Sequence, residues 1–228
     1  MTLPQPLLIE AVVADSEQHA LVAASEQLSE CLGAASGIPW PGELRFCATL
    51  DAIGKSDRPS MVIASLLPEL GRAEEPVPSI VQRWHRELAS ILAAVPYVFI
   101  CTAFRHVATG GGASGHDPSG MSIERLRRLN MAAIELSHDT GAFVIDIDAV
   151  LAHLGARSVS ADFRLASAAA AEAAGYVIAS SILGVGADDC IPPEIQERAK
   201  QHLGGTHQLV ALIQRRLREK AQRARRNG

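Results

Sequence analysis

The residues of this chain that could do chemistry gather just after its apolar runs. Asp15 and Ser16 close the run LLIEAVVA, and His19 follows within one helical turn. A serine at a strand end, beside free backbone N–H groups and a helix N-terminus, suits nucleophilic attack with a stabilised oxyanion. The same position suits a helix cap, because Ser and Asp side chains accept hydrogen bonds from a first turn. Taken alone, Ser16 reads more readily as the cap. His106 and His116 lie in the glycine-rich stretch 105–120, where Asp117 follows His116. A serine, one of these histidines and a carboxylate would supply nucleophile, base and orienting group whatever their order along the chain. Asp146 and Asp148 alternate with apolar residues in VIDIDAV. Two carboxylates could hold Mg²⁺, but without a third nearby they are expected as strand-end and helix-cap residues. Gly110, Gly111 and Gly112 lack the Lys-Ser/Thr of a phosphate-binding loop, so a surface loop, able to cover a crevice, is expected there.

The elements that must position these residues follow from hydrophobic periodicity. Apolar runs at 7–14, 44–50, 60–67, 96–103 and 142–147 predict four or five buried strands. Helical patterns over 17–33, 79–94, 121–140 and 167–183 separate or follow them, and Pro192-Pro193 opens a last helical region interrupted at Gly204-Gly205. Strands alternating with amphipathic helices predict an α/β fold with a parallel sheet wrapped on both sides. In such sheets ligands bind outside the carboxyl ends of the strands, which is where Ser16, the 105–120 loop and Asp146 fall.

Composition narrows the classes. The 228 residues are 48% hydrophobic and 4% aromatic, enough for one large core built mostly of aliphatic side chains. Cys31, Cys47, Cys101 and Cys190 are far apart with no zinc-like spacing, so no structural metal is expected and the thiols are expected to be reduced. The N-terminus lacks a basic signal-peptide region and no apolar run is long enough for a membrane span; a cytoplasmic location is therefore expected. The net charge is −4, yet residues 215–228 carry seven basic residues and one acid, leaving the body at −10. Nucleic acid is not expected as a partner, since so acidic a body repels a phosphate backbone.

The order of segments adds a resemblance. The ADS ending of the first strand, MVIASLLPEL, YVFICTAFR, SIERLRRLNMAAIELSHDTGAFVIDIDAVL and ADFRLASAAAAEAAGYVIASSIL together resemble the SGNH/GDSL hydrolase family over roughly residues 7–183. The resemblance implies a three-layer α/β/α sandwich with a mainly parallel, flavodoxin-like sheet over residues 1–190, and a C-terminal helical extension with a basic tail over 191–228. It implies Ser16 as the inherited nucleophile and Asp162 as the acid of the late D-x-x-H motif. The chain departs from the pattern in three places. Ala14 replaces the first glycine, SLLPEL contains no oxyanion-donating Asn, and Leu165 stands where the histidine belongs, or Arg164 if one residue is skipped. Gly54 is a candidate for the family's glycine donor. Neither Leu nor Arg can act as a base at neutral pH. The implied function is a degenerate SGNH-like protein with weak or absent ester hydrolase activity and a binding or accessory role. The alternative is an active esterase or acyltransferase in which His106 or His116 serves Ser16. No cofactor is expected. The partners expected are an acyl or ester ligand in the crevice, and another protein or a second copy through the C-terminal helix.

Overall fold

The computed structural model describes residues 6–105, 119–155 and 163–204. Strand β1 (Leu7–Val12) shows how both layers are built. Leu7, Ile9 and Ala11 join one buried cluster while Val12 joins the other. The same alternation runs through β3 (Met61–Ser65), with Met61 and Ile63 on one side and Val62 and Ala64 on the other, and through β4 (Val98–Cys101). Strands buried on both faces have no polar side to show, which is why they read as continuous apolar runs. With β2 (Gly42–Phe46) and β5 (Phe143–Ile145) they form one sheet, all parallel, in the order β2-β1-β3-β4-β5. This is the flavodoxin-like doubly wound order, and the fold is an α/β sandwich.

Helices α1 (Gln18–Ser36) and α5 (Ala168–Gly184) cover one face. Helices α2 (Val77–Leu92) and α3 (Ser119–Thr140) cover the other. Helix α4 (Ile147–Leu154) follows β5 and packs on α5. The final described helix, α6 (Pro193–Leu203), packs on α1 and α5, with Ile191, Ala199 and Leu203 in the same buried cluster. The α1–α5 contact is close because Gly175 faces Ala20, Ala23 and Ala24. A Cβ at Gly175 would lie 2.8 Å from the Ala23 Cβ and 2.9 Å from the Ala24 nitrogen.

Strand β2 is an edge, half-exposed to exposed along its length. Its Arg45 bridges Glu43 at 2.6 Å and Asp57 at 2.7 Å, tying the edge to the chain that returns towards β3. That return holds only a short 3-10 turn, Leu50–Ala52, where a doubly wound fold ordinarily places a helix. All four cysteines are free. No described helix is long and apolar enough to cross a membrane.

Candidate functional site

Strands β1 and β3 are neighbours in the sheet, while the chain leaves β1 towards β2 and returns to β3 on the other side. The crevice of a doubly wound sheet opens at this reversal, at the strands' carboxyl ends. Ser16 sits there, in a 3-10 turn (Asp15–Glu17) between β1 and α1. Its side chain is half-buried, and among the described residues no side chain hydrogen-bonds its hydroxyl. Ser16 is not the helix cap that its type and position suggest. The turn is closed from the other end, where the Glu17 carboxylate accepts the Ala14 N–H at 2.9 Å. Asp15 instead accepts from the Gln18 side chain at 3.2 Å. His19 is exposed and lines a shallow cleft between α1 and the start of α5, beside Ala166 and Glu172. His106, His116 and Asp162 lie outside the described residues.

Glu17 is the surprise of the crevice. A charged side chain at the start of a helix ordinarily faces solvent, yet Glu17 is 2% exposed at the switch between β1 and β3. The Ser65 hydroxyl, at the end of β3, donates to Glu17 Oε1 at 2.8 Å and accepts from the Leu67 N–H at 3.1 Å. Burial pushes the Glu17 carboxyl up to about 7, against the lowering effect of the bonds from Ala14 and Ser65. The Cys101 thiol at the end of β4 is pushed up as well, first by burial and then by the nearby Glu17 charge. The bond to Ala14 is local, but the partner that meets Glu17 in the interior, Ser65, lies 48 residues away.

An apolar cluster lies at the same strand ends. Leu67, Ala103 and Leu126 form a buried cluster, and Ala14, Leu70 and Phe163 pack against it. Leu165, the residue at the expected histidine position, is 3% exposed in the main core and holds a left-handed backbone, φ +51°. A non-glycine residue pays for that conformation, so the packing around Leu165 must hold it there.

The loop leaving β4 is pinned at three points. Thr102 donates its hydroxyl to Asp146 at 3.1 Å and accepts the Asp148 N–H at 3.1 Å. Asn130 on α3 accepts the Ala103 N–H at 2.9 Å and donates to the Ala103 carbonyl at 2.7 Å. Asp148 accepts the Arg105 N–H at 2.8 Å and pairs with its guanidinium at 2.6 Å. Asp146 caps α4 through the Ala149 N–H at 3.0 Å, as expected, whereas Asp148 lies within the helix and holds Arg105 rather than capping. Among the described residues no cluster of His, Cys, Asp and Glu could hold a metal. Asn130→Ala strands a backbone N–H and C=O together and is expected to cost about 1–3 kcal/mol in urea unfolding. The Ala103 amide is expected to exchange faster than in the wild type.

The candidate oxyanion donor and the segment after β3 both prove to be engaged elsewhere. The Gly54 N–H, proposed as an oxyanion donor, instead donates to the buried Glu10 carboxylate at 2.7 Å. The segment after β3, where the family's Asn would lie, carries Glu69. That residue is buried, accepting Arg83 at 2.8 Å and the Trp84 indole N–H at 2.9 Å. Burial pushes the Glu69 carboxyl up, but the bonds from Arg83 and Trp84 and the charges of Arg83 and Arg72 outweigh it and hold the group below its ordinary value.

No protein-family model and no curated sequence matches the chain. Solved structures do. A Slackia heliotrinireducens protein proposed to be an SGNH hydrolase is 15% identical, over 78% of this chain and 99% of its own, at TM-score 0.49. An alpha/beta hydrolase enzyme from the metagenome of Lake Arreo, Spain, is 14% identical, over 83% and 97%, at TM-score 0.50. An extracellular lipase from Streptomyces rimosus is 11% identical, over 64% and 81%, at TM-score 0.38. The likeness to the Lake Arreo enzyme is one of fold: the chain has a hydrolase-like α/β sandwich.

Proposed function

We propose that this chain is an SGNH-like protein in which serine hydrolysis at Ser16 is weak or absent, and that it works by binding. One observation carries the reading. Leu165, where the resemblance expects the base, has no titrating group and is buried in the core. An unactivated serine hydroxyl is a poor nucleophile at neutral pH. The apolar cluster of Leu67, Ala103 and Phe163 supports the same reading, because these side chains cannot donate a hydrogen bond to a developing oxyanion.

The Ser16 hydroxyl at the strand end, which no described side chain engages, is what favours the other reading, an esterase or acyltransferase whose base comes from the loop after β4. A fluorophosphonate probe separates the two. We expect no labelling of the folded wild type beyond that of Ser16→Ala. Labelling that is lost in Ser16→Ala and also in His106→Ala or His116→Ala would sink the binding reading and assign the base.

A further inference from the structure

A large groove lies away from Ser16, on the face of the sheet that α2 covers. It has a volume of about 780 Å³ and runs between the C-terminal half of α2 and the chain that returns from β2 to β3. The Ser60 N–H meets the Leu8 carbonyl at 2.8 Å and Val95 precedes β4, so the groove reaches the amino ends of the strands, opposite the crevice.

Its walls are fixed before any ligand arrives. Gly54, with φ +70°, is held by the buried Glu10 carboxylate at 2.7 Å. Asp57 is held by Arg45 at 2.7 Å. These contacts place a wall where a doubly wound fold would ordinarily pack a helix, and the groove is the space that helix leaves.

The lining has two characters. Leu50, Ile53, Pro59, Ile91 and Val95 supply an aliphatic floor, with no aromatic ring on which a base or aryl group could stack. Above it stand three arginines. Arg83 is spent on Glu69 and Glu75, at 2.8 and 3.2 Å. Arg58 and Arg86 are exposed, and neither pairs with a carboxylate among the described residues. Of the two acids present, Asp51 is taken by Lys55 at 3.4 Å. Glu87 is half-buried, its carboxyl pushed up first by burial and then, against the pull of Arg83, by the charges of Asp51 and Glu69. Guanidinium forks bind carboxylate or phosphate oxygens in pairs, and an aliphatic floor rewards a chain of methylenes.

We propose that this groove binds a single-chain aliphatic anion, its head held by Arg58 and Arg86 and its tail laid on the Leu50, Ile53, Ile91 and Val95 floor. The volume falls within the range of sites that enclose small molecules. The proposal does not depend on what Ser16 does.

Titration calorimetry of the full chain with sodium decanoate, below its micelle concentration, tests it. We expect saturable binding of one molecule per chain, at least tenfold weaker for decanol. The Arg58→Ala/Arg86→Ala double variant is expected to bind at least tenfold more weakly. Ser90→Trp, at an exposed position of α2 lining the groove, is expected to abolish binding while leaving the circular dichroism spectrum unchanged. Decyl phosphate tells the two head groups apart, and tighter binding of either supports the site. Binding that survives in both variants, equal binding of decanol, or no binding of either anion would overturn the proposal. Ser16→Ala is expected to bind as the wild type does, so failure here and failure of the hydrolase-loss reading are separable.

Discussion

Raising the pH from about 5 to about 8 is expected to weaken the fold by up to about 3 kcal/mol through Glu17 alone. The carboxyl rises from 4.5 to about 7 on folding because burial removes the water that stabilises its charge. The folded chain therefore holds this proton more tightly than the unfolded one. Its contribution is fully present below 4.5 and is lost as the pH climbs through about 7, after which the curve levels. Glu17→Gln copies the protonated form. Its carbonyl can accept the Ala14 N–H, and its amide then faces the Ser65 hydroxyl, which turns from donating to Glu17 to accepting from the amide. Urea unfolding across this range should show a falling wild-type stability and a flatter Glu17→Gln one, with the variant more stable at the alkaline end. Parallel curves would mean that Glu17 stays ionised throughout.

Gly175→Leu is expected to destabilise the fold by about 3 kcal/mol or more, or to prevent folding. The reason is geometric. The first carbon of any side chain there would sit within 3.0 Å of the Ala23 Cβ, the Ala24 nitrogen and the Ala20 oxygen. Two of these atoms are backbone, so no rotamer change relieves the clash, and α1 and α5 must move apart. Gly175→Ala faces the same contacts but recovers some helix propensity, on the order of 1 kcal/mol. Its net cost should be about 1–2 kcal/mol, read as a fall in Tm of roughly 2–8 °C for a chain of this size. An unchanged Tm in Gly175→Ala would show that the two helices pack less closely than this.

How much of this was legible depends on whether a residue's role is local. The strands of the centre, β1, β3 and β4, stand in the sequence as apolar runs because both their faces are buried. Their observed bounds are shorter than the runs, since Ala14, Leu66, Leu67 and Ala103 extend the apolar pattern past the strand ends. The edge strand was displaced: the run at 44–50 pointed to it, but β2 is Gly42–Phe46, because an exposed edge needs little apolar patterning and Leu50 belongs to the following turn. Helix α4 has no counterpart in the sequence reading, whose last apolar run ends at Ile147, because eight residues are too few to show a helical stripe. The buried acids Glu10, Glu17 and Glu69 carry no local mark. Each is interior because of a partner 44, 48 or 15 residues away, namely Gly54, Ser65 and Trp84. For the candidate site, the sequence located Ser16 at the strand end and put Leu165 in the histidine's place, whereas the burial of Leu165 and the closing of the turn by Glu17 needed the fold.

Strand β2 also bears on how copies of this chain meet one another. A parallel sheet with a bare outer strand invites another chain to add a strand, and open edges of this kind are where folded proteins begin to aggregate. Here Glu43 and Arg45 place both signs of charge along that strand, and the bridge to Asp57 fastens the neighbouring chain against it. An incoming strand would have to displace these ion pairs before it could dock. The Arg45–Asp57 bridge that holds a groove wall in place thus also acts as a gatekeeper for solubility.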